Sequence, residues 1–138
     1  MIVVDTNLVA YLLISGPHTA LAERVLARDP EWAAPLLLHS ELRNVLARRV
    51  RNGDAPLDAA FEAASAAELL LEEREFQPNG AHVLRLAAAS GCTAYDCEFV
   101  AVARDLDVTL VTLDREILSA FPAVAVDPDA FLTRMTRS

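Results

Sequence analysis

Short apolar runs rich in β-branched residues alternate with longer helical segments along the chain, and this alternation limits the possible folds more than any other feature. The first run, residues 1–4, is followed by apolar residues at helical spacing, and another run, residues 107–112, follows a helical segment. Parallel strands need crossover connections of this kind, and the crossover helices cover both faces of the sheet. The sequence therefore predicts an α/β fold with a central parallel sheet.

The size and composition of the chain favour one folded domain. Its 138 residues are 54% hydrophobic and 23% charged, as expected for a chain that forms one hydrophobic core. Its apolar runs are far shorter than the roughly 18 residues of a membrane span, and the first five residues lack the basic segment of a secretory signal. We expect a single cytoplasmic domain over residues 1–138, without a membrane anchor and with a frayed tail at residues 134–138.

All 12 basic residues are arginines, and 20 acidic residues give the chain a net charge of −8. The absence of lysine excludes Schiff-base chemistry and phosphate-binding loops that need this residue. The acidic excess argues against a protein that coats DNA without sequence preference, but it is compatible with nucleic acid held through metal ions. Cys92 and Cys97 are too few for a disulfide scaffold and are expected to be reduced.

Two aspartates are expected at the carboxyl ends of strands. Asp5 follows the first strand, and Asp114 follows the strand predicted over residues 107–112. Ligands of open parallel sheets bind at this edge, in the crevice where the strand order switches. The alternative is structural, because an aspartate directly before a helix caps that helix by accepting backbone N–H groups.

Two further acids come from helices. Asp96 shares a predicted helix face with apolar residues and is expected to point inward, although Thr93 and Asp96 also resemble a helix-capping box. Glu41 lies at the edge of an apolar helix face. A solvated glutamate is the ordinary interpretation of Glu41, and a half-buried carboxylate that awaits a cation is the alternative.

Four carboxylates that converge would repel one another and raise their pKa values unless a positive charge lies between them. Without lysine, the source of that charge is an arginine or a divalent metal ion. Ligands that are all oxygens favour Mg²⁺ or Mn²⁺. Such ions activate water and stabilise the charge that develops on a phosphodiester, which is nuclease chemistry.

The segments that carry these acids resemble the PIN-domain ribonucleases, and among them the VapC-type toxins of bacterial toxin–antitoxin pairs. The resemblance covers nearly the whole chain and depends on the order and spacing of four segments, which are Ile2–Asn7, Ser40–Leu42, Tyr95–Ala103 and Leu110–Asp114. It implies a PIN-like, Rossmann-like three-layer fold with about five parallel strands. It also implies an endoribonuclease site that depends on Mg²⁺ or Mn²⁺.

The resemblance assigns roles to individual residues. The catalytic acids that coordinate the metal are Asp5, Glu41, Asp96 and Asp114. The supporting polar residues are Thr6, Asn7 and Thr112. The partners that it implies are an RNA substrate, a second copy of the chain in a homodimer, and a VapB-type antitoxin whose C-terminal segment covers the site while its N-terminal part binds operator DNA.

Other charged residues lie near these acids in the sequence. Arg43 and Arg48 lie on the predicted Glu41 helix and are candidate contacts for RNA phosphates, with solvated charge as the ordinary interpretation. Glu98 and Glu116 are expected to be solvated, because Glu98 is two residues from Asp96 and so faces elsewhere on a helix.

Two other functions are open from the sequence. A Mg²⁺-dependent phosphohydrolase for small phosphoesters would use a strand-end aspartate as nucleophile, but no second aspartate lies two residues after Asp5. A non-catalytic interaction module would use the aspartates only as helix caps. The positions of the four carboxylates relative to one another distinguish capping from a shared site.

Overall fold

A computed structural model describes residues 1–136, with side chains described through residue 134. The strands are β1 (Ile2–Val4), β2 (Trp32–Pro35), β3 (Glu75–Phe76), β4 (Leu110–Val111) and β5 (Ala125–Val126). The helices are α1 (Thr6–Leu13), α2 (Thr19–Arg28), α3 (Leu37–Arg51), α4 (Leu57–Leu70), α5 (Gly80–Ser90), α6 (Ala94–Leu106), α7 (Arg115–Ala120) and α8 (Pro128–Thr136). Helix α8 continues into the predicted tail, and the end of that tail, with the predicted domain boundary at residue 138, lies outside the described residues.

The five strands form one parallel sheet in the order β3-β2-β1-β4-β5. The chain builds this sheet outward from β1, first through β2 to β3 and later through β4 to β5 on the other side. The strand order therefore switches between β1 and β4, where Val4 pairs with Val111. The predicted α/β fold, with about five parallel strands flanked by helices, is confirmed.

The core lies around the three central strands β2, β1 and β4. Every residue of β1 and β2 is buried, and Trp32 has no exposed surface. Helix α6 packs across β1, β2 and β4 with a continuous buried segment at residues 99–103. Burying a large apolar side chain stabilises a fold by about 1.5–3 kcal/mol, so this packing holds α6 firmly against the three strands.

The structure decides two segments whose local sequence allows more than one element, Pro35 and residues 72–77. Pro35 fits the first turn of a helix by sequence, but it is the last residue of β2, and α3 begins at Leu37. The charged segment 72–77 is compatible with a helix end or an edge strand, and it contains the edge strand β3. The Arg74 side chain donates to the carbonyl oxygens of Trp32 and Leu70 at 2.9 and 3.0 Å, so its charge supports the junction between β2 and α4.

Helix ends follow ordinary capping chemistry. Asn79 accepts a hydrogen bond from the His82 N–H at the start of α5, and Gly91 ends that helix with φ +78°, a conformation that glycine adopts without strain. Cys92 and Cys97 are both buried and free, as predicted. Over residues 1–136, no helix is long and apolar enough to cross a membrane.

Candidate functional site

The carboxyl ends of β1 and β4 open into a cavity of about 230 Å³, which we call the acid cavity. Its lining residues are Asp5, Thr6, Asn7, Glu41, Asn44, Val45, Asp96, Phe99, Thr112, Asp114 and Ile117. All four predicted acids and all three predicted supporting residues therefore meet at one place. That place is the switch in strand order, where the parallel sheet predicts a binding site.

Asp5 is the most deeply buried of the four acids, with 8% of its surface exposed. Its Oδ1 atom accepts a hydrogen bond from the Leu8 N–H at 2.8 Å, which caps α1. Its Oδ2 atom accepts from the Thr112 hydroxyl at 2.7 Å and from the Leu113 N–H at 3.0 Å. Three donors thus hold this carboxylate in one orientation at the end of β1.

Thr112 links Asp5, at the end of β1, to Asp114, which follows β4. Its side chain has no exposed surface, and while its hydroxyl donates to Asp5 it accepts from the Asp114 N–H at 3.0 Å. The Asp114 Oδ1 atom in turn caps α7 by accepting from the N–H groups of Glu116 and Ile117, at 2.9 and 3.0 Å. A single buried hydroxyl therefore fixes Asp5 and Asp114 relative to each other.

The other two acids are placed by helices. Glu41 lies in α3, and its Oε1 atom accepts a 2.7 Å hydrogen bond from the hydroxyl of Thr6 in α1. Asp96 lies in the first turn of α6, where Thr93 caps the helix by accepting from the Asp96 N–H at 3.0 Å. Thr93, and not Asp96, is thus the capping residue, and the Asp96 side chain faces the acid cavity.

Electrostatic coupling supports the same grouping. Burial raises the pKa of Asp5, and the charge of Asp114 raises it further, against the lowering effect of the hydrogen bonds from Thr112, Leu113 and Leu8. Burial also raises the pKa of Glu41, with additional contributions from the charges of Asp96, Asp5 and Glu98. The carboxylates are close enough to disfavour one another's ionised form.

Asp96 experiences the same repulsion from the other side of the cavity. Burial raises its pKa most, the charges of Asp114, Glu116 and Asp5 add to the increase, and the Thr93 hydroxyl lowers it. Within the described chain, no arginine, histidine or chain-terminal ammonium lies within 4.0 Å of the carboxylates of Asp5, Glu41, Asp96 or Asp114. The cavity therefore gathers negative charge that no cationic side chain compensates.

The donor set fits a hard divalent cation by its chemistry. The polar groups around the cavity are four carboxylates, two hydroxyls and two side-chain amides. Each of them can offer an oxygen atom as a ligand. The side chains do not form a closed cage, since no group of three or more His, Cys, Asp or Glu residues between positions 1 and 136 is arranged to hold a metal ion.

Asp5 and Asp114 satisfy both interpretations of the strand-end aspartates. Each caps a helix, as the structural alternative predicts, and each also lines the acid cavity. Capping occupies one oxygen of Asp114, and the described residues give its Oδ2 atom no hydrogen bond. A capping role therefore does not remove Asp114 from the cavity.

Several charged residues lie elsewhere or differ from expectation. Arg43 and Arg48 are exposed on α3 and do not line the acid cavity; Arg43 instead donates to the Ser40 hydroxyl at 3.1 Å. The expectation that Glu98 is solvated is wrong, because it is half-buried, burial raises its pKa, and its charge acts on Glu41. Glu116 is exposed, as expected.

Asn44 is the polar cavity residue that the sequence analysis missed. It lies three residues after Glu41 on α3, so both side chains are on the same side of that helix. The spacing was a usable signal, but a neutral amide has no strong preference for buried or functional positions and did not stand out beside the acids.

The family model for the PIN domain matches residues 2–124. The chain belongs to the PIN-domain family, as its motifs predict. Ribonuclease VapC3 of Pyrobaculum aerophilum is 32% identical over 132 residues, which cover 89% of this chain and 96% of that relative.

Solved structures show the same similarity in three dimensions. The crystal structure of PAE2754 from Pyrobaculum aerophilum has a TM-score of 0.77 at 25% identity and covers 99% of this chain and 97% of its own. A toxin–antitoxin complex from Klebsiella pneumoniae contains a chain with a TM-score of 0.66 at 17% identity, covering 93% of this chain and 98% of its own. At that identity the second comparison shows the fold alone.

Proposed function

We propose that this chain is a metal-dependent endoribonuclease and the toxin of a VapB–VapC-type toxin–antitoxin pair. Membership of the PIN-domain family and the 32% identity to a relative named as a ribonuclease support this activity. The observation that carries the proposal is the acid cavity, where Asp5, Glu41, Asp96 and Asp114 meet without a compensating cationic side chain.

The cofactor that fits this cavity is Mg²⁺ or Mn²⁺. Its ligands would come from the four carboxylates, directly or through water, because hard ions of this size prefer carboxylate oxygens and retain water. When bound, such an ion supplies a water of lowered pKa and stabilises the negative charge that develops on the phosphodiester during in-line attack.

The residues around the acids position them for this role. Thr112 and the Leu113 N–H orient the Asp5 carboxylate, and Thr6 holds one oxygen of Glu41 while the other faces the cavity without a hydrogen bond from the described residues. Asn7, at the cavity wall, is a supporting polar residue. Because the Thr6 and Thr112 hydroxyls already donate to carboxylates, they act by holding the acids in place.

The partners follow from the same assignment. RNA is the substrate, and we assign Arg43 and Arg48, which are exposed on α3 outside the acid cavity, as contacts for its phosphates. An antitoxin is the protein partner that we propose, and the solved complex from Klebsiella pneumoniae contains a chain of the same fold in a toxin–antitoxin complex. A homodimer, with one acid cavity in each copy, completes the assembly that we propose.

The phosphohydrolase alternative gains no support from the cavity. A nucleophilic aspartate needs an accessible oxygen, but both oxygens of Asp5 accept hydrogen bonds, from three donors in total. Asp5 is therefore better suited to a fixed ligand position than to covalent catalysis.

Cleavage mapping on total cellular RNA tests the proposed function. The purified wild-type chain is incubated with RNA in Mn²⁺ or Mg²⁺, and new 5′ and 3′ ends are mapped beside the Asp96→Asn variant. We expect discrete cleavage by the wild type and a loss of at least about a hundredfold in Asp96→Asn, since the variant lacks a ligand of the cation that would stabilise the developing negative charge.

The matched control is Asp58→Asn, which removes an exposed carboxylate from the first turn of α4. It should cleave like the wild type. Cleavage that persists in excess EDTA, or equal cleavage by Asp96→Asn and Asp58→Asn, would contradict the proposal.

A further inference from the structure

The acid cavity has few groups that can bind an anionic strand. The side chains with N–H or O–H donors among its lining residues are those of Thr6, Asn7, Asn44 and Thr112. The hydroxyls of Thr6 and Thr112 already donate to Glu41 and Asp5. The two amides are therefore the lining side chains whose donors are not already given to a carboxylate of the cavity.

Asn44 is placed to use its donors outside the protein. Its side chain is exposed at the cavity wall, and it makes no hydrogen bond to another described residue. The arginine beside it, Arg43, turns away and donates to Ser40. The amide of Asn44 is thus presented to whatever enters the cavity next to Glu41.

An amide is chemically suited to this position. Its NH₂ group offers two donors to a phosphate oxygen, and protein side chains of this type are common contacts of nucleic-acid backbones. Unlike an arginine, it adds no positive charge that would compete with a divalent cation for the carboxylates. Unlike an aspartate, it adds no charge that would repel the phosphate.

We propose that Asn44 is a substrate-binding residue of the acid cavity, which donates a hydrogen bond to a phosphate oxygen of the bound RNA next to the scissile bond. This inference rests on the proposed ribonuclease function. It assigns to α3 two separate roles one turn apart, a metal-binding role for Glu41 and a phosphate-binding role for Asn44.

Single-turnover cleavage of a labelled RNA that spans a mapped cleavage site tests the assignment. The enzyme concentration is varied in Mn²⁺ to give a half-saturating concentration and a maximal rate. For Asn44→Ala we expect the half-saturating concentration to rise about tenfold, the effect of one hydrogen bond to a charged group. The maximal rate should stay within about threefold of the wild type, because the acids are intact.

Mn²⁺ binding, measured by calorimetry without RNA, separates phosphate binding from metal binding. Asn44→Ala should bind Mn²⁺ within about twofold of the wild type, because the four carboxylates are unchanged. Asn44→Asp should weaken RNA binding beyond the alanine variant, while its Mn²⁺ affinity is equal or higher. Asn52→Asp, which adds the same charge at the exposed C-terminal end of α3, is the matched control and should leave both constants within about twofold.

Each outcome decides the assignment. Unchanged RNA binding by Asn44→Ala, or an equal loss of Mn²⁺ and RNA binding, would overturn it. If the wild type cleaves no RNA, the proposed ribonuclease function is wrong. If the wild type cleaves RNA and the Asn44 variants bind it equally well, only the role of Asn44 is wrong. Thermal unfolding of each variant verifies folding, and an exposed side chain without hydrogen bonds predicts an unchanged midpoint for Asn44→Ala.

Discussion

At the scale of single residues, Thr112 has the largest structural role for its size. Its hydroxyl is fully buried, donates to Asp5 at 2.7 Å and accepts from the Asp114 N–H at 3.0 Å. Thr112 lies 107 positions after Asp5 in the chain, so a single oxygen atom orients an acid from a distant strand. The isosteric change Thr112→Val removes both hydrogen bonds without creating a cavity.

We expect Thr112→Val to lower the free energy of unfolding by about 1–3 kcal/mol, because it leaves a buried acceptor and a buried donor with fewer partners. Urea denaturation measures this change. The matched variant Thr112→Ser retains the hydroxyl and should recover most of the hydrogen-bond contribution. A valine variant as stable as the wild type would show that the hydroxyl has no such role.

The sequence predicts the acids more reliably than their neighbours. Asp5 and Asp114 were identifiable because parallel strands deliver their last residues to one edge of the sheet. Glu98 was not, because its effect on Glu41 passes between α6 and α3, and residue spacing within one helix contains no information on contacts between helices. Asn44 was not predicted as a cavity residue for a different reason. A neutral amide changes neither the charge pattern nor the hydropathy pattern of a helix.

At the scale of elements, α7 separates the two roles of Asp114. The Asp114 side chain accepts hydrogen bonds from the first N–H groups of this six-residue helix. The residue therefore contributes to folding stability independently of any catalytic role. Asparagine caps helices about as well as aspartate, whereas alanine does not.

Asp114→Ala should therefore lose about 0.5–2 kcal/mol of stability, and Asp114→Asn only a few tenths. Both should lose RNA cleavage, because both remove the carboxylate. Asp127→Ala provides the comparison, since Asp127 accepts from the Ala130 N–H at the start of α8 and lies outside the acid cavity. A stable and fully active Asp114→Asn enzyme would reduce this residue to a helix cap.

Element boundaries were the least predictable part of the fold. Helical and β-branched patterns predict the long elements well, but the two-residue strand β3 has no pattern of its own and exists because Ala34 and Pro35 of β2 pair with Glu75 and Phe76. Pro35 shows the same effect, since tertiary pairing places at a strand end a residue that also suits the first turn of a helix. Local sequence cannot report pairing between residues that are 41 positions apart.

At the scale of the whole molecule, the ionised carboxylates of the acid cavity lower the free energy of unfolding in the absence of metal. The pKa values of Asp5, Glu41 and Asp96 are all raised in the folded state, with burial as the largest cause. A carboxyl group with a raised pKa binds its proton more tightly when folded, so folding stability falls as pH rises above the ordinary carboxyl pKa near 4.

The double variant Glu41→Gln/Asp96→Asn isolates this effect. In EDTA, its free energy of unfolding should exceed that of the wild type by an amount that grows as pH rises from about 4.5 to 7.5. Mn²⁺ should stabilise the wild type, by about 2.7 kcal/mol at a hundred times its dissociation constant, and leave the variant unchanged. Chemical denaturation at several pH values measures both, and parallel pH curves for the two proteins would exclude the electrostatic origin.

The distance along the chain between β1 and β4 has a consequence for protein synthesis. Before β4 and α7 have been synthesised, the nascent chain contains neither Thr112 nor Asp114. Asp5 then lacks the hydroxyl that orients it and the strand β4 that pairs with β1. Truncated products and proteolytic fragments that end before this point cannot assemble the pocket. The acid cavity therefore cannot form until β4 and the start of α7 have been synthesised.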